Sequence, residues 1–535
     1  MFDQKPREFD FSAATYSSYY FDGVSGNDDN DGKSENSPFK SVEKLNEILA
    51  LKEPLKVFLR RGSVFRGKVV VGGMASHKGI PLIVSSYGDG ALPVIDGDGE
   101  DCAVEISRGY AIFSETEVTN PKGLIGIFVK VKEAGSLEYL VIRNCVVRDV
   151  NFNWIYDKSE KEIDIRDIDP ESVCPQKRFY YETGGIIFLA SDEAGKPCNY
   201  RDVKITDNFV TRVSRSGIFL TGLWIRRPGT CWGVNPYFSD DKGWYPSERI
   251  EISRNKVTYT GGDGIVLIGS VHSLIERNVS CHSNYLGRTG NANAGIWPIG
   301  CKDIAIRYNE AAYSHLEHGG LDGEGFDIDI ANEDVLFEYN YAHDNDGGAI
   351  LLCNAETTQP LFDENGKPVL DENGKQKEYR AQGVWRRVTI RNCVAVNNGK
   401  TPENPNFIHF SSTCRELTVE NNTVIMREDL DNQMIVRTAD YANCGRQDDL
   451  AFRGNLFYAP VEKNCSFFMD FCDRFEFDGN YYKNTGGDCA ATANEEYPEL
   501  FSGRIFLPSS LDGFENAEKI AAQRFCPGTD VIIEL

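Results

Sequence analysis

The segment IEISRNKVTYT, residues 250–260, shows the pattern from which the fold of this chain can be predicted. Apolar and polar residues alternate up to Ser253, and a second short alternating run follows Asn255. Alternation with a period of two is typical of a β-strand that buries one face. Asn tolerates left-handed backbone geometry, and its side-chain amide can bond main-chain groups of the same turn. The segment therefore predicts two strands joined by a sharp bend at Asn255.

Nine further segments have the same form, which indicates a structural repeat. Their asparagines are Asn144, Asn208, Asn278, Asn309, Asn340, Asn392, Asn422, Asn455 and Asn480. The shorter intervals, from 23 to 33 residues, correspond to one coil of chain plus a loop. If the coils stack in register, these side chains are expected to form a continuous ladder of amides.

A second type of strand follows several of these units, and a glycine precedes each apolar run. The segments are GGIIFLAS (184–191), SGIFLTGL (216–223), DGIVLIGS (263–270), AGIWPIGC (294–301), EGFDIDIA (324–331) and GGAILLCN (347–354). The glycine marks another bend. Three short strands per turn, each pairing with its equivalent one turn away, predict an all-β parallel solenoid.

The repeat resembles the right-handed parallel β-helix of the pectate-lyase-like superfamily over roughly residues 18–490, and the opening YYFDGVSGNDDNDG (19–32) is similar to that of many such proteins. Val42, Leu45, Ile48 and Leu49 share one helical face, which predicts a helix that caps the first coil. We expect an N-terminal strand and cap helix in residues 1–50, the β-helix in 51–490 and a C-terminal cap or tail in 491–535. Long insertions near 151–183, 224–247 and 354–383 are expected to wall a groove.

Composition limits the possible functions. The 535 residues carry a net charge of −24, which argues against nucleic acid or an anionic membrane as the main partner. The fifteen cysteines occur without CxxC pairs, so we expect reduced thiols and no zinc ribbon. The opening MFDQKPREFDF lacks the apolar stretch of an export signal, and no later run could span a membrane. These features predict a cytoplasmic protein.

Two acids interrupt an apolar column of the second strand type. Alignment on the glycine gives a column of Ile187, Phe219, Val266, Trp297, Asp327 and Ile350, and places Asp329 and Leu352 in the column two residues on. The positions next to these columns are apolar and are expected to point inward, so Asp327 and Asp329 are expected to face outward. Their Cβ atoms would lie about 6.5–7 Å apart. Paired carboxylates at such a distance perform acid/base chemistry on glycosidic bonds. Like charges so close are expected to raise the pKa of one carboxyl, which can then donate a proton.

Asp322 and Glu324, just before this strand, are alternative candidates for the catalytic acid. The region resembles a β-helix glycosidase family that includes lacto-N-biosidases, in which one short segment supplies two aspartates. That resemblance implies Asp322 together with Asp329. A solvated acidic surface and a metal-binding pair stay open as other interpretations of the acids.

Substrate-binding residues are predicted on successive coils, from the tryptophan one coil before Asp327, from polar residues among apolar neighbours on later strands, and from the segment HDNDGG (343–348), which is otherwise interpreted as a turn. These candidates are Trp297, His343, Asp346, His409, Arg437 and Asp470. Trp297 is interpreted either as an exposed platform for a sugar ring or as an aromatic residue at the edge of the core. Together the candidates would form a groove along the solenoid.

Three functions are consistent with these features. The first is a glycoside hydrolase that acts on an oligosaccharide or a chain end and needs no cofactor. The second is a polysaccharide lyase, which would need a basic residue such as Arg437 or Arg307 and usually Ca²⁺. The third is a non-catalytic carbohydrate-binding solenoid. We predict the hydrolase, with an oligosaccharide as partner and no metal site.

Overall fold

A computed structural model describes most of the chain between residues 5 and 485. The described ranges are 5–72, 79–131, 134–151, 183–190, 196–225, 243–285, 293–316, 322–353, 356–360, 369–375, 377–382, 386–411, 414–438, 448–468 and 474–485. Within them, no helix is long and apolar enough to cross a membrane. The predicted insertions near 151–183 and 224–247 and the tail after 490 lie almost wholly outside these ranges.

The chain forms a right-handed parallel β-helix, which confirms the predicted fold class. Each full coil contributes one strand to each of three parallel sheets. Sheet A contains Ser17–Phe21, Leu55–Arg60, Leu82–Tyr87, Ala111–Ser114, Gly135–Arg143, Cys198–Thr206, Ser247–Ser253, Ser270–Glu276, Lys302–Arg307, Glu333–Glu338, Arg386–Arg391, Arg415–Glu420, Asp448–Arg453 and Phe475–Asp478.

Sheets B and C form the other two faces, and the long strand Leu456–Phe468 takes part in both. Sheet B contains Val64–Arg66, Val94–Asp96, Glu117–Asn120, Val146–Val150, Phe209–Val213, Lys256–Thr260, Val279–Cys281, Glu310–Ala312, Tyr341–His343, Val394–Val396, Thr423–Ile425, Leu456–Phe468 and Tyr481–Thr485. Sheet C contains Val69–Val71, Cys102–Ile106, Ile125–Lys130, Gly184–Ala190, Ser216–Gly222, Ile265–Ile268, Ala294–Ile299, Glu324–Ile328, Ile350–Leu352, Ile408–Phe410 and Asn432–Thr438.

The third predicted insertion contains an antiparallel hairpin. Its strands are Glu356–Pro360 and Glu378–Gln382, which pair from Glu356 with Gln382 to Pro360 with Glu378. An isolated antiparallel bridge between Ile225 and Trp244 joins the two ends of the second insertion. Among the described residues, the two hairpin strands pair with each other and with no strand of the three sheets.

The interior of the solenoid is a single continuous apolar core. On sheet C its inward column consists of Ile127, Ile186, Ile218, Ile265, Ile296, Phe326, Ile350, Ile408 and Val436. Parallel pairing stacks like residues on like, so alternate residues of every strand are removed from water along the whole axis. The described coils thus share one core.

The structure corrects the predicted register at one coil. Ile350 pairs with Phe326 and points into the core, and Leu351 pairs with Asp327. The alignment on glycine had placed Ile350 beside Asp327, and it had placed Leu352 beside Asp329. Alignment on Gly348 was wrong by one residue, because the turn before this strand contains the extra residue Ala349, which is itself buried in the core.

The asparagine ladder lies at the bend from sheet A to sheet B. Asn208, Asn255, Asn278, Asn309 and Asn340 are buried and bond in sequence, each Nδ2 donating to the Oδ1 of the next at 2.9–3.0 Å. Each amide also donates to a backbone carbonyl of the preceding coil, as Nδ2 of Asn278 does to Ile252 at 2.8 Å. The ladder therefore satisfies backbone groups that the bend would otherwise leave buried and unpaired.

Two of the predicted ladder residues are not part of it. Asn144 and Asn392 have φ values of 52° and 54° and stand one position before the ladder, where Arg254 has a φ of 55°. The ladder position itself is occupied by Cys145 and Cys393 in these coils. In each bend, the residue with left-handed backbone geometry thus stands immediately before the ladder residue. The prediction that the ladder asparagine itself has this geometry was wrong.

The predicted cap helix is confirmed at Val42–Leu49, with Ser41 accepting a bond from the Lys44 backbone N–H. Its buried residues are Val42, Leu45, Ile48 and Leu49. The side chain of Asn46 bonds the strand Val69–Val71 at its free edge, since Nδ2 donates to the Lys68 carbonyl at 2.9 Å and Oδ1 accepts from Val70 at 2.8 Å. The helix therefore covers both the open end of the core and an unpaired strand edge.

We predict that Asn309→Ala lowers the free energy of unfolding by about 2–4 kcal/mol, because it removes the buried hydrogen bonds that the Asn309 side chain makes with Asn278, Ile275 and Asn340. Cys393→Ala is the matched control at an equivalent ladder position and is expected to lose only about 1 kcal/mol, since it removes a thiol at 3.4 Å from the Asn340 nitrogen. Denaturant titrations measure both losses. Equal losses would contradict a special role for the amide.

Candidate active site

The outer face of sheet C carries a second apolar cluster, separate from the interior. Its outward column, read along the register, is Phe128, Ile187, Phe219, Val266, Trp297, Asp327, Leu351, His409 and Arg437. All of these residues except Arg437 are buried. Asp327 therefore stands in an apolar column on a face that is shielded from water.

Four acids lie on or beside the strand Glu324–Ile328. Glu324 and Asp327 are buried, with 2% and 8% of their surface exposed, whereas Asp322 and Asp329 are partly exposed. Asp322 has a φ of 65° and opens the turn into the strand. Gly323 follows with a φ of 88°, and a Cβ there would meet the Leu316 nitrogen at 2.9 Å. This tight corner places Asp322 beside the strand.

The buried position of Asp327 determines its protonation. Burial raises the pKa of Asp327 well above its usual value, and the nearby carboxylates of Asp329, Asp322 and Glu324 raise the pKa further. A charged carboxylate is disfavoured both by loss of water and by neighbouring charges of the same sign. Asp327 therefore holds its proton to a higher pH than an ordinary aspartate does.

Asp329 differs from Asp327 because hydrogen bonds partly offset its burial. Burial raises the pKa of Asp329 to about 6, while the Ile330 N–H and the Cys353 thiol favour its ionised form. The Ile330 nitrogen donates to Oδ1 at 2.7 Å. Asp329 is thus largely ionised at neutral pH, whereas the pKa of Asp327, two residues away, is raised well above its usual value.

Glu324 reaches across the intervening coil to His409. Its Oε1 lies 3.1 Å from Nδ1 of His409, and both side chains are buried. Gly348 stands between them in the stack, and its missing side chain leaves space beside Cγ of Glu324. This contact fixes one oxygen of Glu324 and orients the imidazole of His409.

Two carboxylate oxygens of this cluster have no hydrogen-bond partner among the described residues. They are Oε2 of Glu324 and Oδ1 of Asp327, and both atoms are buried. An unsatisfied buried oxygen costs about 1–3 kcal/mol, so native proteins rarely keep one without a functional reason. The cluster therefore has the character of a binding site for a ligand with hydroxyl or amide donors.

The structure adds Arg215 and Asp263, which sequence analysis missed, to the surroundings of the acids. Both side chains are fully buried, and Nη2 of Arg215 lies 2.9 Å from Oδ2 of Asp263. Asp263 is among the groups that raise the pKa values of Asp327 and Asp329. The sequence offers one signal, the DGIVLIGS segment, in which Asp263 precedes the strand glycine as Glu324 precedes its own.

Trp297 lies one strand before Asp327 on the same face, but it is not an exposed platform. Only 7% of its surface is exposed, and its Nε1 donates to Oδ1 of Asp263 at 2.9 Å. The indole packs in the outer apolar cluster with residues such as Phe219 and Val266. Of the two interpretations of Trp297, the structure supports the buried one.

The side chains of His343 and Asp346 bond groups other than the four acids, although Gly347, next to Asp346, donates its backbone N–H to the Gly323 carbonyl at 3.0 Å. His343 ends a strand of sheet B, where it bonds Asp344 at 2.8 Å and Glu310 at 3.3 Å. Burial lowers the pKa of His343, but these two carboxylates outweigh it and raise the pKa to about 9. Asp346 lies at the corner after sheet B with its Oδ1 at 3.0 Å from Nζ of Lys400. Both side chains thus point to partners other than Asp327.

The remaining candidates fall at the far end of the column. Arg437 pairs in register with His409, and its Nη1 donates to the Glu403 carbonyl at 2.9 Å. Asp470 lies outside the described residues. In the part of the chain that the structure describes, no group of three or more His, Cys, Asp or Glu side chains is arranged to hold a metal ion.

The arrangement pairs a carboxyl that keeps its proton with one that loses it. Glycosidic bond hydrolysis needs such a pair, one group to protonate the leaving oxygen and one to attack or activate water. The outer apolar cluster raises the pKa of the buried Asp327 above that of Asp329. The partly exposed Asp322 and Asp329 can be reached by a substrate. The site can therefore perform acid/base chemistry on a bound sugar.

Comparison with known proteins supports the fold. A family model described as right handed beta helix region matches residues 243–425. Two crystal structures of GH136 lacto-N-biosidase from Eubacterium ramulus align with TM-scores of 0.56. The native protein is 22% identical and the alignment covers 84% of this chain and 68% of that one, and the selenomethionine derivative is 21% identical with 82% and 67% covered. At these identities the likeness shows the fold.

One curated protein is similar in sequence. Lacto-N-biosidase from Bifidobacterium longum subsp. longum is 25% identical over 430 residues, which cover 65% of this chain and 25% of that protein. The chain thus spans about a quarter of the length of this relative.

We predict that Asp329→Asn stabilises the protein at neutral pH. The folded pKa of about 6 lies above the unfolded value of 3.8, so the folded state binds more protons between these values and stability falls as pH rises through 6. Removing the acid should raise the free energy of unfolding by about 2–3 kcal/mol at about pH 7.5 and by little at about pH 4. Denaturant titrations at both pH values measure this difference.

The control for this variant is Asp303→Asn on sheet A, where the carboxylate lies 2.6 Å from His272 and far from the four acids. It should not produce a stability gain that grows with pH. A loss of stability in Asp329→Asn at neutral pH would show that the carboxylate is held favourably as an anion.

Proposed function

We propose that this chain is a glycoside hydrolase that cleaves an oligosaccharide at the acid cluster on the outer face of sheet C. The observation that carries the proposal is the set of four carboxylates on one shielded strand, two of them partly exposed and two with buried unsatisfied oxygens. The similarity to lacto-N-biosidases supports it, because the solved lacto-N-biosidases share the fold and the curated one is 25% identical over 430 residues. A lacto-N-bioside linkage is accordingly the first substrate to test.

The exposure of the acids suggests separate roles for them. A proton donor and a nucleophile or base must both touch the substrate, so we assign these roles to the partly exposed Asp322 and Asp329. Asp329 acts in its ionised form, consistent with its pKa of about 6. Asp327 lies between them at the bottom of the site and remains protonated. Asp327 itself is the alternative donor, because its pKa is raised well above the usual value.

The same charges indicate the class of substrate. A uronate carboxylate placed among Asp322, Glu324 and Asp329 would meet like charges in a shielded site, which is strongly unfavourable. A neutral glycan carries no such charge, and its hydroxyl groups can donate to the partly exposed carboxylates of Asp322 and Asp329 instead. The cluster therefore favours hydrolysis of a neutral glycan over the lyase alternative, which acts on uronates.

We predict that Asp322→Asn and Asp329→Asn each lower kcat on an oligosaccharide about 10²–10⁴-fold, the usual contribution of a positioned acid or base. On an aryl lacto-N-bioside with an acidic phenol as leaving group, Asp322→Asn should recover most of its activity, because that leaving group needs no proton. Asp329→Asn should stay inactive on both substrates. Steady-state kinetics on the two substrates measure the difference.

Asp327→Asn separates the two assignments of the proton donor. If Asp322 is the donor, Asp327→Asn replaces one neutral group by another and loses much less activity than Asp322→Asn. If Asp327 is the donor, Asp327→Asn rather than Asp322→Asn should lose activity on the oligosaccharide and recover most of it on the aryl substrate. Asp303→Asn is the activity control. An unsaturated product that absorbs in the ultraviolet would indicate a lyase instead of a hydrolase. Unchanged kinetics in all three acid variants would contradict a catalytic role for the cluster.

A further inference from the structure

A buried polar network connects three consecutive coils next to the acid cluster. Arg215 stands just before the strand Ser216–Gly222, Asp263 before Ile265–Ile268, and Trp297 lies within Ala294–Ile299. Arg215 and Asp263 form an ion pair at 2.9 Å with both side chains fully buried, and Nη1 of Arg215 donates to Oδ1 of Asn293. Asp263 in turn accepts from Nε1 of Trp297 at 2.9 Å and from the Ala294 backbone at 3.3 Å.

The chain provides the space for this network. A Cβ on Gly262 would lie 1.4 Å from Nη1 of Arg215, so the guanidinium occupies a volume that only glycine leaves free. Burying two charges costs several kcal/mol each, and replacing such a pair by apolar residues is often neutral or stabilising. The interior therefore gains little stability from Arg215 and Asp263, and their contacts point to a role in orientation.

Trp297 is the residue that this network orients toward the site. It precedes Asp327 by one strand on the same face, where neighbouring strands lie about 4.8 Å apart. An indole can rotate about two side-chain bonds, and the bond to Asp263 fixes it in one orientation. The register of the two strands places this ring next to the position of Asp327 on the outer face.

We propose that Asp263, held by Arg215, is a positioning residue that fixes the indole of Trp297 as the wall beside Asp327 and so keeps this carboxyl dry and protonated. This inference rests on the proposed function insofar as the wall serves catalysis. Asp263 touches no substrate in this assignment; it acts on Asp327 through the position of Trp297 and through its own charge, which raises the pKa of Asp327.

If the Trp297 indole is no longer held in place, the pH dependence of kcat/KM should change. If water reaches Asp327, the carboxyl ionises at a lower pH, because burial is the largest cause of its raised pKa. The new negative charge then raises the pKa of Asp329, the group that must be ionised for activity. The acid limb of kcat/KM should therefore move to higher pH.

The experiment compares two double variants that differ in one acceptor atom. Arg215→Met with Asp263→Asn retains an amide oxygen for the indole N–H, and Arg215→Met with Asp263→Leu removes it. Neither variant leaves a buried charge without its counter-ion, and Asn and Leu are close in shape. Circular dichroism and the unfolding midpoint establish that both variants fold.

The direct measurement is hydrogen exchange of the Trp297 indole N–H by nuclear magnetic resonance, with Trp297→Phe used to assign the signal. The Asn variant should keep the wild-type protection of the indole N–H, and its acid limb is the reference for the Leu variant, because both variants lose the Asp263 charge that raises the pKa values of Asp327 and Asp329. The Leu variant should exchange at least tenfold faster, lose roughly tenfold to a hundredfold in kcat, and shift the acid limb upward by about one pH unit.

Equal indole exchange in the two variants would overturn the claim that Asp263 positions Trp297, whatever the activity of the protein. Faster exchange in the Leu variant with an unchanged acid limb and kcat would overturn the link from the wall to catalysis. If wild-type protein cleaves no glycoside, the proposed function fails, but the exchange comparison still decides whether Asp263 holds Trp297.

Discussion

The register between coils is the constraint on which the rest of this structure depends. Because side chains of a strand alternate between its two faces, a slip of one residue would bring Asp327 into the core and turn Phe326 outward. The ladder from Asn208 to Asn340 opposes such a slip, since each amide bonds both the next amide and a carbonyl of the preceding coil. The position of the acid cluster on the outer face is thus set by contacts at another corner of the solenoid.

The sequence predicts this architecture well because its main determinants are local and repeated. Alternation, the asparagine bends and the glycine bends recur in coil after coil, so the fold, the cap helix and the outward position of Asp327 follow from pattern alone. The errors have a local physical cause. Asn144 and Asn392 have the expected residue type but stand one position early, and a cysteine thiol replaces the ladder amide after each of them. At Ala349 the chain accommodates one extra small residue in the core, which no alignment on glycine reveals.

The surroundings of the acids were less predictable, because they arise from contacts between coils. Arg215 and Asp263 are 48 residues apart, Asp263 and Trp297 are 34, and Glu324 and His409 are 85. The lengths of the intervening loops decide which residues meet, and periodicity does not encode them. His343 illustrates the converse: it follows the acids closely in sequence, yet the next bend of the chain places it on sheet B beside Asp344 and Glu310.

A solenoid is well suited to holding buried acids at a fixed place. Each coil contacts mainly its two neighbours, so an unfavourable group on one strand is constrained by the regular pairing of the strands before and after it. Ala294–Ile299 and Ile350–Leu352 flank the acid strand on its two sides and bring Trp297 and Leu351 against Asp327. Leu351 cannot hydrogen-bond the carboxyl, and the indole N–H of Trp297 is already bonded to Asp263, so both neighbours help to keep the pKa of Asp327 high. The same regular stacking that makes the outer face apolar on other coils thus creates, on this one, the conditions under which a carboxyl keeps its proton.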